Sequence, residues 1–224
     1  MMRRDYLLQM IQEFTQALAR IGALKKGQRW DEAGEALDAE FQRLIGAGPQ
    51  AVARFSETEL LARLVEGEST QVVHQKTLIL TALLTEAGDI AVAQDRLEES
   101  RECYLKALHL LLDILARGEV SEFPEFVPKV EMLREALKGS PLPVGTHARL
   151  MQHYERTGEF ARAEDALFAM LDAEPDNDAI GEFGIVFYQR LLTHRDATLN
   201  EANLPRAEVQ EGLRELQGRR KQGG

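Results

Sequence analysis

The strongest constraint on the fold is the order of apolar and small residues between positions 147 and 175. The residues that follow this order are His147, Leu150, Tyr154, Gly158, Phe160, Ala163, Leu167 and Pro175. Leu150 and Tyr154 are four residues apart and therefore share one face of a predicted helix. Gly158 ends that helix, because glycine tolerates the positive φ common at helix C-termini. A second helix with the small residue Ala163 follows, and Pro175 ends it.

This spacing resembles a tetratricopeptide repeat, whose repeating unit is a helix hairpin of about 34 residues. The resemblance implies neighbouring hairpins, because one hairpin cannot bury its own apolar face. A second, degenerate copy is predicted in residues 84–112, where Ser100 takes the position of Ala163. A third copy is predicted to begin its second helix near Trp30, with Ala33 as the small residue.

The distances between the small residues Ala33, Ser100 and Ala163 are each close to two repeat periods rather than one. Segments 57–66 and 123–138 have helical periodicity and are predicted to be inserted helices that fill these gaps. Together with the absence of alternating strand patterns, this predicts an all-α fold: an irregular tetratricopeptide-like helical-hairpin array, an α-α superhelix, with inserted helices.

The C-terminal part of the chain favours a fourth hairpin, in residues 178–194 plus 205–217. Pro205 is predicted at the first helical position, where its missing N–H costs nothing. Because the predicted helices follow one another with short connections, we expect one domain over residues 1–217. Residues 218–224 are basic and end in glycine, and we expect a disordered tail there.

The acidic composition bears on possible partners. The formal net charge is −10 and the isoelectric point is near 5.1, which argues against nucleic acid, because phosphate binding needs a clustered basic surface. The basic clusters stand at the two ends, in Arg3-Arg4 and Arg219-Arg220-Lys221. We expect both to be solvated ends.

No segment of the sequence has the length and apolarity of a membrane span or a secretory signal. Gln9, Gln12 and Glu13 interrupt the apolar run that follows the basic start. The single cysteine, Cys103, cannot form an internal disulfide and is predicted to be a small buried residue. We therefore expect a cytoplasmic protein with no membrane partner.

Motifs that carry chemistry are not found. The sequence has no His-Glu-x-x-His, Cys-x-x-Cys, Gly-x-Ser-x-Gly, Walker or dinucleotide-binding pattern. His147 and His153 are six residues apart and so lie on different helix faces, which is poor geometry for a shared metal. We expect no catalytic residue, no metal site and no cofactor.

The tetratricopeptide resemblance implies that first-helix side chains line a concave groove. The positions that this assigns are Thr85, Asp89, Val92, Ala148, Gln152 and Glu155. Peptide-binding members of that family clamp a C-terminal carboxylate with lysine and asparagine at such positions. Those residue types are missing here, so binding of chaperone tails is not expected, and the acidic residues favour a basic or apolar segment.

Over almost its full length the chain also resembles an uncharacterised bacterial family of short helical proteins with a domain of unknown function. Segments 4–11, 98–108 and 204–213 carry this resemblance. It implies no activity and no catalytic residue.

The expected function is therefore a non-enzymatic adaptor that binds a protein or peptide through the repeat array. An alternative is a structural protein that self-associates as a homodimer through its apolar last hairpin, the relevant residues being Ile185, Val186, Phe187, Leu191 and Leu192. An enzyme with an unrecognised site is the remote third possibility.

Overall fold

The computed structural model describes residues 2–48, 52, 54–65, 67–118 and 123–222, with side chains from Tyr6 to Arg219. Within these ranges the chain forms eleven α-helices and no strand, so the all-α prediction is confirmed. The helices are α1 (Met2–Lys26), α2 (Trp30–Ile45), α3 (Glu57–Val65), α4 (Thr70–Ala93), α5 (Leu97–Arg117), α6 (Val130–Ala136), α7 (Val144–Thr157), α8 (Phe160–Ala173), α9 (Asp178–Leu191), α10 (Asp196–Glu201) and α11 (Arg206–Gln222).

The helices pack as neighbouring pairs in two compact units, Met1–Ser140 and Pro141–Gly224. Unit 1 contains α1 to α6 and unit 2 contains α7 to α11. A single domain over residues 1–217 stays a prediction. The last helix continues to Gln222, beyond the position where the tail is predicted to begin.

Unit 1 is built around α4, whose middle segment is buried on every side. All residues from Thr77 to Thr85 are buried, more than two helical turns without an exposed position. Helices α1, α2, α3 and α5 surround α4 and exclude water from it. The hydroxyls of Thr77, Thr81 and Thr85 each donate to the carbonyl four residues earlier, at 2.8, 2.9 and 2.9 Å, so these buried polar groups are satisfied within α4.

The hairpin of α4 and α5 closes around a glycine. A Cβ on Gly88 would lie 2.6 Å from the ring of Tyr104, too close for any larger side chain. The missing side chain therefore lets the Tyr104 ring lie directly on the α4 backbone. The Tyr104 hydroxyl then donates to Asp89, one residue along α4, at 2.6 Å.

In unit 2, α7 and α8 form the hairpin that the sequence predicts between residues 147 and 175. Gly158 follows α7 with φ +78°, and the Glu159 N–H donates to the Tyr154 carbonyl at 2.8 Å, which closes the turn. The predicted interior positions are buried; they are Leu150, Tyr154, Phe160, Ala163, Leu167 and Met170. Asn177 then caps α9 by accepting from the Ala179 N–H at 3.1 Å.

The second hairpin of unit 2 pairs α9 with α11, with the short α10 between them. Here too, glycines allow close approach: a Cβ on Gly212 would overlap the Tyr188 ring, and one on Gly184 would meet Leu167 and Leu216. The Tyr188 hydroxyl donates to Glu164 of α8 at 2.6 Å. Each unit thus places a tyrosine over a helical glycine and anchors its hydroxyl on a carboxylate.

Several predicted boundaries differ from the observed ones. The prediction of a helix over residues 123–138 is correct only for Val130–Ala136, because Pro124 and Pro128 lack the N–H donor and disfavour helix in the preceding residue. The other insertion is helical as α3 over Glu57–Val65, and residue 66 lies outside the described residues. Pro205 precedes α11 rather than opening it, and its carbonyl accepts from the Val209 N–H at 3.2 Å.

The backbone of Gly158 provides a test of the α7–α8 turn. Gly158→Ala is expected to destabilise the protein by about 1 kcal/mol, because an L-residue is strained at positive φ. A new Cβ would meet no atom within 4 Å at Gly158 or at the control position Gly181 within α9, so only the backbone conformation separates the two sites. Gly181→Ala should leave stability unchanged or raise it by up to about 1 kcal/mol. Urea unfolding followed by circular dichroism measures both, and equal effects would contradict the turn geometry.

Candidate functional site

The three groove residues predicted in unit 1 do not share one surface. Thr85 is buried inside the helix cluster and donates to Thr81, so it cannot line an open groove. Asp89 is half-exposed and faces neighbouring helices, and Val92 is 49 % exposed near the end of α4. Of the groove residues predicted in the second repeat, Thr85 therefore lies in the core, Asp89 in an ion-pair network and Val92 in solvent.

Asp89 belongs to a network that joins α1, α4 and α5. The Lys25 ammonium of α1 donates to both Asp89 and Glu86, and the Tyr104 hydroxyl donates to the other Asp89 oxygen. Burial alone would lower the pKa of Lys25, but the hydrogen bonds and charges of Asp89 and Glu86 outweigh it and raise that pKa. Burial, and next the bond to Asp89, raise the pKa of Tyr104. At neutral pH the network is a charged lysine between two carboxylates, an arrangement that holds three helices together.

The three groove residues predicted in unit 2 lie on α7. Glu155 accepts from the Arg190 guanidinium of α9 through both carboxylate oxygens, at 2.6 and 2.7 Å. This bidentate pair shows that the Glu155 side of α7 faces α9. Gln152 is exposed and Ala148 is half-buried. The residues predicted on α7 therefore lie on a polar surface. Its carboxylate, Glu155, is already paired with Arg190 of the same unit.

A cleft of about 250 Å³ opens in unit 1 between α1, α2 and α4, and we call it the α1–α2–α4 cleft. Its lining residues are Tyr6, Gln9, Met10, Glu13, Glu40, Arg43, Leu44, Lys76 and Ile79. Ile79 is buried at its base, Met10 and Leu44 are half-buried, and Tyr6 is 50 % exposed. Apolar side chains from three helices therefore converge on one opening.

The charged side chains around the cleft form ion pairs. Arg43 of α2 donates to Glu13 of α1 at 2.8 Å and to Glu40 of its own helix at 2.6 Å. Lys76 of α4 donates to Glu68 at 2.6 Å. The pair of Arg43 and Glu13 also fixes α1 against α2 at the mouth. The opening consequently presents apolar surface inside a rim whose charges are compensated locally.

The two side chains Cys103 and His109, which could in principle act in catalysis, are buried in the core of unit 1. Cys103 is 3 % exposed, and burial, followed by the charge of Glu99, raises the pKa of its thiol to about 12. His109 of α5 is buried and pairs with Glu57 at the start of α3, which joins the inserted helix to the core. Among the residues described, histidine, cysteine and carboxylate side chains do not gather into a group that fits a metal ion.

Sequence reasoning missed the α1–α2–α4 cleft. The sequence feature that comes nearest to indicating this cleft is the apolar face of α1. On that face Leu7, Phe14 and Ile21 are buried, but Met10 is only partly covered. Periodicity places these residues on one face without telling how far the neighbouring helices cover it. The contributions of Leu44 and Ile79 depend on tertiary packing, which no local spacing reveals.

Comparison with protein families gives a match over almost the whole chain. A family model whose description is a family of unknown function matches residues 1–221. No curated protein and no solved structure shows significant similarity to the chain. Among the helices described, none combines the length and apolarity needed to cross a membrane.

The lysine network generates a stability prediction. Lys25→Met should destabilise the protein by about 2 kcal/mol at pH 7, because two partly buried carboxylates lose their shared cation. The pKa of Lys25 is raised above its ordinary value of 10.5. The stabilisation by the Lys25 ion pairs is therefore present below pH 10.5 and is lost as the pH rises through the raised pKa of Lys25. Urea unfolding of the wild type and the variant measures it at pH 7 and again at a pH above 10.5, where the difference between the two proteins should shrink. The control Lys138→Met removes a pair whose side chains are 74 % and 71 % exposed and should change stability by under about 0.5 kcal/mol.

The raised thiol pKa generates a reactivity prediction. At pH 7.5 the native Cys103 should react with iodoacetamide at least about a hundredfold more slowly than in the urea-unfolded chain, because thiolate is scarce and the sulfur is covered. Intact-mass spectrometry over time gives both rates. Equal rates in the folded and unfolded protein would contradict the burial of the α5 face that carries Cys103.

Proposed function

The chain belongs to DUF6483, a family of unknown function, and from that premise we propose that it is a non-enzymatic module of tetratricopeptide-like helix hairpins that binds a protein segment in the cytoplasm. The observation that carries the proposal is the α1–α2–α4 cleft, an apolar opening shared by three helices. The hairpin geometry of α7 and α8 supports the repeat assignment. Binding between helices is a common use of such folds.

The side chains of the cleft favour an apolar anchor. Tyr6, Met10 and Leu44 are only partly covered, and further burial of apolar surface would contribute about 25 cal/mol for each Å² removed from water. Aromatic and methionine side chains are enriched in the centres of protein interfaces. Because Arg43, Glu13 and Lys76 already have partners, a charged ligand would have to displace existing ion pairs.

The size of the cleft favours a protein segment over a small-molecule substrate. A volume of about 250 Å³ lies below the range of about 300–1,000 Å³ usual for small-molecule sites. It suits one large apolar side chain presented on a partner helix or loop. The partner is therefore a segment with a Leu, Met or Phe anchor and little net charge, which is the apolar one of the two kinds of segment, basic or apolar, that the sequence favours.

Selection of phage-displayed random peptides against the full chain tests this proposal. Enriched peptides should carry an apolar anchor, and fluorescence anisotropy should show their affinity for Leu44→Glu reduced at least tenfold, about 1.4 kcal/mol, because a carboxylate would enter the apolar opening. The matched control is Leu97→Glu, which places the same charge on a 61 % exposed leucine of unit 1 outside the cleft. It should bind like the wild type.

The proposal would be rejected if the enriched peptides bound Leu44→Glu and Leu97→Glu equally well, or if no peptide were enriched. Circular dichroism of both variants separates loss of the fold from loss of the site. A partly covered leucine at the cleft edge is a tolerable place for a charge, so Leu44→Glu is expected to keep the wild-type helical signal.

A further inference from the structure

The α1–α2–α4 cleft and an exposed aromatic side chain stand side by side on α1. Tyr6 and Met10 are one helical turn apart, and both line the cleft. Tyr6 keeps 50 % of its surface exposed, and Met10 is half-buried. Within one turn, α1 therefore presents both an opening that suits an apolar side chain and an apolar side chain that is only half covered.

The charges that line the cleft cancel. Two carboxylates, Glu13 and Glu40, stand beside two cations, Arg43 and Lys76. A surface of one sign repels a copy of itself, because like charges then meet across the contact. The charges of this surface sum to zero, so it can face a second copy of the chain without that repulsion.

The segment of α1 that carries Tyr6 has the chemistry expected of a partner for the cleft. Residues 6–12 read Tyr-Leu-Leu-Gln-Met-Ile-Gln and contain no Asp, Glu, Lys, Arg or His. They are helical within Met2–Lys26, and Leu8 of the same segment is 59 % exposed. The chain thus contains a helical segment with exposed apolar side chains and no net charge, which is what the proposed function requires of a partner.

We propose that the α1–α2–α4 cleft binds the N-terminal half of α1 from a second copy of this chain, with Tyr6 as the anchor. This pairing rests on the proposed function, because it names the partner of the same cleft. In a two-fold symmetric dimer the two α1 helices run antiparallel, and Tyr6 of each copy lies over Met10 and Leu44 of the other. Each copy supplies the side chain that fills the other's cleft.

Two features favour a second copy over an unrelated partner. The anchor and the opening belong to one surface, and a two-fold contact satisfies both at once because it buries the same surface on both copies. A tyrosine also suits a cleft with an apolar base and a polar rim, since its ring supplies apolar area and its hydroxyl needs a polar neighbour. The residues that the sequence suggested for self-association offer no competing surface at Phe187 and Leu191, because both are buried within unit 2.

Sedimentation equilibrium tests the dimer. The wild-type chain should show a species of twice its 25.2 kDa mass. Tyr6→Glu and Leu44→Glu should each weaken dimerisation at least about tenfold, because a carboxylate then enters an apolar opening at both contacts. The control Leu97→Glu adds the same charge to a 61 % exposed leucine outside the cleft and should dimerise like the wild type. Circular dichroism checks that each variant is folded.

Cysteines introduced on α1 report the contact without altering the anchor. Gln9→Cys puts a thiol at the cleft near the two-fold axis, where two copies can form a disulfide. The control Gln16→Cys is exposed on the same helix face, and its thiols in an antiparallel pair stand roughly 20 Å apart. Under a mild oxidant, Gln9→Cys should form a disulfide-linked dimer at least about tenfold faster than Gln16→Cys. The native Cys103 does not compete, because it is buried.

Three results would overturn the second copy as the partner. They are a wild-type chain that stays monomeric at every concentration, a dimer that Tyr6→Glu and Leu44→Glu both retain, and equal cross-linking of Gln9→Cys and Gln16→Cys. A monomeric chain that still needs Leu44 for peptide binding rejects the dimer and leaves the proposed function standing. Failure of the proposed function shows separately, as selected peptides that bind Leu44→Glu and Leu97→Glu equally well.

Discussion

The burial of the middle of α4, from Thr77 to Thr85, is the constraint on which unit 1 depends. A helical segment with no exposed residue must be surrounded, and α1, α2, α3 and α5 pack around it. Its threonines are compatible with this position because each hydroxyl is satisfied within the helix. The α1–α2–α4 cleft follows from the same arrangement, since it is the place where α1 and α2 meet over α4 without covering it completely.

A contact between tyrosine and glycine sets the helix spacing in both units. Tyr104 over Gly88 draws α5 onto α4, and Tyr188 over Gly212 draws α9 onto α11. In each case the ring supplies apolar area while its hydroxyl donates to a carboxylate, Asp89 or Glu164. Burial is the largest cause of the raised pKa of both phenols, so both remain protonated donors through the physiological range. Such contacts add a hydrogen bond to the apolar area that the ring buries.

Charge compensation distinguishes the α1–α2–α4 cleft from a site for a charged ligand. Arg43 is paired with Glu13 and Glu40, and Lys76 is paired with Glu68. Because these charges already have partners, apolar contact is left to determine what the cleft would bind.

The helical class, the α7–α8 hairpin and its turn at Gly158 could be predicted from the sequence, because periodicity, glycine and proline act within a few residues. It also indicated the inserted helix α3 and the burial of Cys103. Other features depend on how the helices pack together. Thr85 is interior, Asp89 binds Lys25, and Tyr6, Leu44 and Ile79 share an opening. The reason is physical: a helical pattern specifies which residues share a face, but the helices that pack against that face determine which part of it stays open.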